Sequence, residues 1–236
     1  MDKATPTPTV MITGANRGIG LALARGYAAE DWRVLACCRD PDNAKDLDVL
    51  RAKAEDRVAV HRLDVTDGLQ IDSLAGELAG EAIDLLINNA GVSGPREGFG
   101  ETDYDAWHPV FAVNSFAPLR MAERFVEQLA RSERKLIVNI SSKMGSIAAN
   151  DSSNAIVYRA SKAALNQISK CLAMALGPRG VTVIVFHPGW VSTDMGGAEA
   201  PVTPEDSAAG IRAVIAGVTT ADNGRFFNYD GEELPW

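Results

Sequence analysis

The stretch Val10-Met-Ile-Thr13-Gly14-Ala-Asn16-Arg17-Gly18-Ile19-Gly20-Leu-Ala-Leu-Ala24 decides the fold. Val10 to Thr13 reads as a buried strand, and from Ile19 to about Ala29 the apolar residues recur at helical spacing. Between them stand Gly14, Gly18 and Gly20, in the pattern Gly-x-x-x-Gly-x-Gly. Glycines at a strand-to-helix turn let the backbone pass close to a pyrophosphate, whose charge the helix N-terminus favours. The pattern differs from Gly-x-Gly-x-x-Gly, and taken alone it also suits a structural tight turn.

Outward from this turn the chain keeps alternating. Arg33 to Cys38, Val58 to Leu63, Ile83 to Asn88, Lys135 to Ile140, Val181 to Phe186 and Arg225 to Tyr229 read as strands. Helical patterns fall near Gln70–Leu78, Asp105–Arg131, Ala160–Leu176 and Pro204–Gly217. Pro109 and Pro118 can bend or restart the second of these. Gly177-Pro178 stops the third, and Thr203 is the expected N-cap of the fourth. Strands alternating with helices predict an α/β Rossmann fold, a doubly wound parallel seven-stranded sheet with helices on both faces. No linker or composition break divides it, so a single domain is expected over 1–236, with 1–9 as a flexible tail.

With 46% hydrophobic residues among 236, the chain can bury a large core. Its 31 acidic against 23 basic side chains give a net charge of −8, which argues against nucleic acid as a partner. Cys37, Cys38 and Cys171 form no metal-spaced cluster and no closed disulfide set. No metal is expected. Adjacent Cys37 and Cys38 would face opposite sides of a strand. Without an apolar leader or a run long enough to span a bilayer, no membrane partner is expected, and reduced cysteines suggest a cytoplasmic protein.

Two further patterns point to chemistry. Tyr158 and Lys162, four positions apart, share one face of a helix. A phenol with a pKa near 10 is a poor acid–base group at neutral pH, and a nearby cation favours its ionised form. Bringing the phenol near neutrality would take about 4 kcal/mol of such interaction. At the end of the second strand, where a carboxylate would bind both ribose hydroxyls of NAD, stand Cys38 and Arg39. A guanidinium there can bind a 2′-phosphate in a bidentate manner, with Arg17 reaching it from the other side. NADP(H) is therefore favoured over NAD(H). The alternative is a solvated Arg39, with Asp40 making the ribose contact.

Thr13–Gly20, Asn88-Asn89-Ala90-Gly91 and Tyr158-Arg-Ala-Ser-Lys162, in that order across nearly the whole chain, resemble the short-chain dehydrogenase/reductase family. Ser141-Ser-Lys-Met-Gly145 and Phe227-Asn-Tyr-Asp-Gly-Glu-Glu-Leu-Pro-Trp236 resemble its C-factor/Sniffer-like carbonyl reductase branch. The resemblance implies reversible NADPH-dependent reduction of an aldehyde or ketone to an alcohol, by a homodimer or homotetramer. It implies that Tyr158 is the general acid/base and that Lys162 supports it and binds the nicotinamide ribose. Ser142 would hold the substrate oxygen, and Asn114 would anchor a water relaying protons to Lys162. Ser142 is preferred to Ser141 because it opens Ser-x-x-Gly, and consecutive residues leaving a strand face opposite ways.

The resemblance further implies cofactor contacts at Gly14, Asn16, Arg17, Gly18, Ile19, Gly20, Asp64, Val65, Asn89, Ala90 and Gly91. It adds Pro188, Gly189, Val191 and Thr193 after the sixth strand. Asp64 suits a turn or helix cap equally, and Gly189 a simple turn. Ser142 and Tyr158 are separated by polar Asn150–Asn154, which reads as a loop insertion. His61, His108 and His187 receive no catalytic role. A regulatory protein that binds a nicotinamide dinucleotide with little turnover is the second reading, because a fold alone does not fix function.

Asp194 to Thr203 would form the substrate lid, with Trp190, Met144, Met195 and residues 92–100 as further pocket candidates. So short a lid predicts weak steric selection. In a panel of small aldehydes and ketones, several should turn over at similar kcat/KM. One sharply preferred carbonyl would overturn the expectation.

Overall fold

Central strands of a parallel sheet need cover on both faces, and here they receive it: β1 and β5 are buried at every position. The computed structural model describes residues 7–236. Residues 1–6 of the expected tail lie outside the described residues. The rest of that tail belongs to the fold: the Pro8 carbonyl accepts from Arg33 N at 2.9 Å, and Thr9 opens the first strand.

Among the described residues one sheet holds seven strands: β1 (Thr9–Thr13), β2 (Arg33–Cys38), β3 (Val58–Arg62), β4 (Leu85–Asn88), β5 (Leu136–Ile140), β6 (Thr182–His187) and β7 (Phe226–Asn228). All pair in parallel, in the order β3-β2-β1-β4-β5-β6-β7. The order reverses between β1 and β4, and such a switch point opens a crevice beyond the strands' carboxyl ends.

Alternate residues feed two cores. Val10, Ile12, Val34, Ile87 and Val138 pack toward α1 (Gly18–Ala29), α2 (Lys45–Lys53) and α7 (Pro204–Gly217). Met11, Leu35, Leu86 and Ile137 pack toward α3 (Gly68–Glu77) and the longer helices on the other side. The sequence pattern missed α2, and it began β4 two residues early. Thr203 caps α7 as expected, accepting from Asp206 N at 3.0 Å.

The long helix expected from Asp105 is a composite. It runs as α4 (Trp107–Phe111), a π-helical turn (Ala112–Phe116) and α5 (Ala117–Arg131). Pro118 accounts for the irregularity. It has no N–H to give the Asn114 carbonyl, its α-helical partner four residues back.

The next helix, α6 (Ile156–Leu176), starts four residues before its apolar period suggests. It starts abruptly. Ala155 holds the left-handed conformation at φ 54°, and its N–H donates to Glu97 O at 3.1 Å. Tyr158 thereby falls in the first helical turn, with Lys162 one turn on. Asn150–Asn154 is a loop, and Arg159 ties it down by donating to Asn150 Oδ1 (2.7 Å) and Asn154 O (3.0 Å).

Candidate active site

A cleft of about 1020 Å³ opens at the switch point, at the top of the size range usual for ligand sites. Its floor is the glycine turn. Gly14 and Gly18 adopt φ values of +65° and +52°, in the left-handed region that favours glycine. A Cβ on Gly14 would sit 3.0 Å from Ala90 Cα, and one on Gly20 would overlap the Gly14 carbonyl oxygen. The turn is stapled to β4: the Thr13 hydroxyl accepts from Asn89 N (3.0 Å) and Ala90 N (3.1 Å). The Asn89 amide donates back to Thr13 O (2.9 Å) and Gly14 O (3.1 Å). No side chain caps the N-terminus of α1, so its first N–H groups are left to face the turn.

All six expected turn residues, Gly14 and Asn16 to Gly20, line this cleft, as do Arg39, Asp64, Val65, Asn89, Ala90, Gly91, Pro188 and Thr193. A dinucleotide fits: a glycine cradle that a Cβ would fill, free helical N–H groups, and arginines at the end of β2 and inside the turn. Asp64 also serves its turn, since Oδ1 accepts from Thr66 N (2.9 Å) and Thr66 Oγ1 (2.7 Å). Arg17 pairs with Asp194 of the lid at 2.8 Å, both side chains well exposed. Gly189 and Val191 stand off the cleft wall. Gly189 packs on the Tyr229 ring at φ +87°, and Val191 bridges Val202.

Tyr158 and Lys162 enter the cleft from α6. Lys162 is buried, and its ammonium donates to Ile140 O at 2.9 Å, at the tip of β5. It lies 5.9 Å from the centre of the Tyr158 ring. Burial pushes the lysine down to about 8. Burial also raises the Tyr158 phenol above its ordinary value, and the Ser142 hydroxyl beside it works in the other direction. The expectation that the neighbouring ammonium lowers the phenol is thus corrected. Desolvation of the phenol outweighs the Ser142 hydrogen bond, and the desolvated lysine does not offset it.

Ser141 and Ser142 face different ways, but it is Ser141 and not Ser142 that lines the cleft. Ser141 Oγ is buried against Asn166 Oδ1 at 2.6 Å, whereas Ser142 turns toward Tyr158. Asn114 lies fully buried behind the cleft. Its Oδ1 accepts from Val92 N (2.9 Å), and its amide donates to Val92 O (2.9 Å) and Ser161 Oγ (3.0 Å). Both amide protons are engaged, so the side chain braces the segment after β4.

Val92, Gly94, Pro95 and Met195 line the cleft as expected, while Trp190 and Met144 do not. Asp194, the first residue of the expected lid, also lines it, as do Pro109, Val110 and Ser192, which the sequence did not single out for the pocket, and His108. His187, outside this wall, is pushed down to about 4 by burial and the Lys143 charge, with Asp230 opposing.

Known proteins share this architecture. The family model described as short chain dehydrogenase matches residues 8–202. The chain belongs to the short-chain dehydrogenase/reductase family. This short-chain dehydrogenase/reductase is therefore an oxidoreductase of a family that binds nicotinamide dinucleotides. The carbonyl reductase Sniffer of D. melanogaster shares 30% identity at a TM-score of 0.91, covering 98% of this chain and all of that one. An NADPH-bound carbonyl reductase from chicken fatty liver shares 33% identity at a TM-score of 0.91, with the same coverage. The protein C-signal of Myxococcus xanthus is 42% identical over 154 residues, 65% of this chain and 93% of that protein. Among the described residues, no helix is long and apolar enough to cross a membrane.

The buried lysine has a measurable consequence. A lysine near 8 when folded and 10.5 when unfolded leaves the unfolded chain with more bound protons between those pH values. Stability from this group therefore rises with pH across that window, by roughly 3 kcal/mol in total. Denaturant unfolding at pH 7.5 and 9.5 should show wild type gaining stability relative to Lys162→Met. A difference that does not move with pH would contradict the assignment.

Proposed function

We propose that the protein reduces an aldehyde or ketone to its alcohol with NADPH. The observation that carries this reading is the convergence of Tyr158 and Lys162 on the wall of a glycine-floored cleft, with the Ser142 hydroxyl hydrogen-bonded to the phenol. Regulation by binding alone does not need a phenol there.

Gly14 to Gly20 and the start of α1 would hold the pyrophosphate, and Asn89 to Gly91 would back the adenosine ribose. Arg39 and Arg17 would take the 2′-phosphate, and Pro188 with Thr193 the nicotinamide end. The bound dinucleotide supplies the hydride. The chain's own groups handle the proton. Ser142 orients the carbonyl oxygen, and the Tyr158 hydroxyl donates its proton to that oxygen as negative charge develops. A phenol raised by burial keeps its proton until a stronger base forms beside it, which suits a donor in the direction of reduction.

Lys162 Nζ, fixed on the Ile140 carbonyl, can release and regain a proton near neutral pH and so restore the phenol. The Asn114 carbonyl, without an amide partner at Pro118, is the acceptor for a relay water. The NADPH held by the chicken carbonyl reductase, and the likeness to the carbonyl reductase Sniffer, support this reading. The resemblance to C-signal favours a second one, a dinucleotide-binding regulator with little turnover.

Two measurements separate these readings. Tyr158→Phe should bind NADPH with unchanged Kd and lose about 10²–10⁴-fold in turnover, followed by NADPH absorbance with small ketones. Persistent turnover would remove Tyr158 as donor, and absence of turnover in wild type would favour the regulator. Arg39→Ala should weaken NADPH about tenfold while leaving NADH nearly unchanged, as loss of a charge-assisted contact requires. Equal weakening of both would return the ribose contact to Asp40.

A further inference from the structure

Ser142 stands on a short loop held from two sides, and only one side belongs to the site described above. On the inner side, Asn166 Nδ2 of α6 donates to Gly145 O at 3.1 Å. Gly145 lies so close to α6 that an added Cβ would be 2.7 Å from the Lys162 carbonyl carbon. Within the loop, Ser142 Oγ accepts from Met144 N (3.1 Å), and Ser142 O accepts from Gly145 N (2.8 Å).

The outer side is a strap, residues 232–236. It folds back along β7: Asn228 N donates to Glu232 O (2.7 Å), Leu234 N donates to Phe226 O (2.8 Å), and Phe227 bridges Glu233 in antiparallel sense. From there it reaches the serine loop. Pro235 O accepts from the buried Ser146 hydroxyl at 2.7 Å, and the backbone oxygen of Trp236 accepts from Ile147 N at 2.6 Å. The Trp236 ring stacks on Phe226 with centroids 5.4 Å apart, and Lys170 Nζ of α6 lies 5.6 Å from its centre. Leu234 is buried with Val185 and Phe226 under this ring. The strap thus joins β7, α6 and the segment four residues beyond Ser142.

We propose that Pro235 and Trp236 are positioning residues for Ser142, the strap fixing the loop that aims the serine hydroxyl at Tyr158. The inference rests on the role given to Ser142 under the proposed function. Neither residue lies on the cleft wall, so both act through the loop. A loop held on one side only can drift by a fraction of an ångström, and misplacement on the scale of 1 Å can cost a reaction about 10²-fold.

The test is a double-mutant cycle in the full chain, with carbonyl reduction followed by NADPH absorbance. Trp236→Ala should lower kcat about tenfold with the Kd for NADPH unchanged, since the glycine turn is remote from the strap. Trp236→Phe, which can still stack on Phe226, should restore kcat to within about twofold. In a Ser142→Ala background, Trp236→Ala should bring no further loss. If Trp236→Ala does not fold, Ser146→Ala removes only the hydroxyl that grips Pro235 and enters the same cycle. Full kcat in either variant, an equal loss in both backgrounds, or a parallel loss of NADPH binding would overturn the positioning role. Full activity of Ser142→Ala itself would remove the serine assignment first and is recognised separately from the strap.

Discussion

The bond from the Lys162 ammonium to the Ile140 carbonyl is the constraint on which the rest of the site hangs. A cation this buried must find an acceptor or lose its proton. The acceptor here is the last residue of β5, so the helix carrying Tyr158 is indexed to the tip of the sheet. Around this bond lies a row of buried polar contacts, one within the sheet and two between sheet and helix. Asn88 donates to Asn139 (2.8 Å), Asn139 to Ser169 (2.8 Å), and Ser141 to Asn166 (2.6 Å). Buried polar chains of this kind are costly when incomplete, and they permit few alternative registers.

The two ends of the cleft are built differently. At the nucleotide end, glycines, strand tips and backbone hydrogen bonds make a floor with little freedom to change shape. At the opposite end the wall comes from the segment after β4 and the lid after β6. Arg17 and Arg96 reach the lid from separate segments, at Asp194 (2.8 Å) and Met195 O (3.1 Å). Exposed ion pairs contribute little to stability. These contacts therefore shape the lid without locking it.

Much of the fold was legible because its strands are buried on both faces and carry unbroken apolar runs between helical periods. The glycine turn was legible because close backbone approach excludes side chains, which narrows the residue choice. Lys45–Lys53 escaped because α2 buries only Leu47 and Leu50 in an otherwise charged stretch. The start of α6 escaped because its boundary is a left-handed alanine held by Glu97, a partner distant in sequence. Tyr158 and Lys162 could be paired from spacing. The direction in which the phenol shifts could not, since desolvation is set by the groups packed around the ring and not by its neighbours along the chain. The Arg17–Asp194 pair spans 177 positions and has no local trace.

Val191 and Val202 pair in a short bridge, with Ser192 N donating to Val202 O at 2.8 Å and Val202 N to Trp190 O at 3.2 Å. The lid between them is thus a handle whose two feet are already joined. Loop closure depends only weakly on length once the ends are fixed. Segments of other lengths and chemistry could be grafted between these feet with α7 and the sheet left in place. The breadth of accepted molecules can then diverge among descendants of this scaffold while the glycine turn and the Tyr158–Lys162 face of α6 stay put.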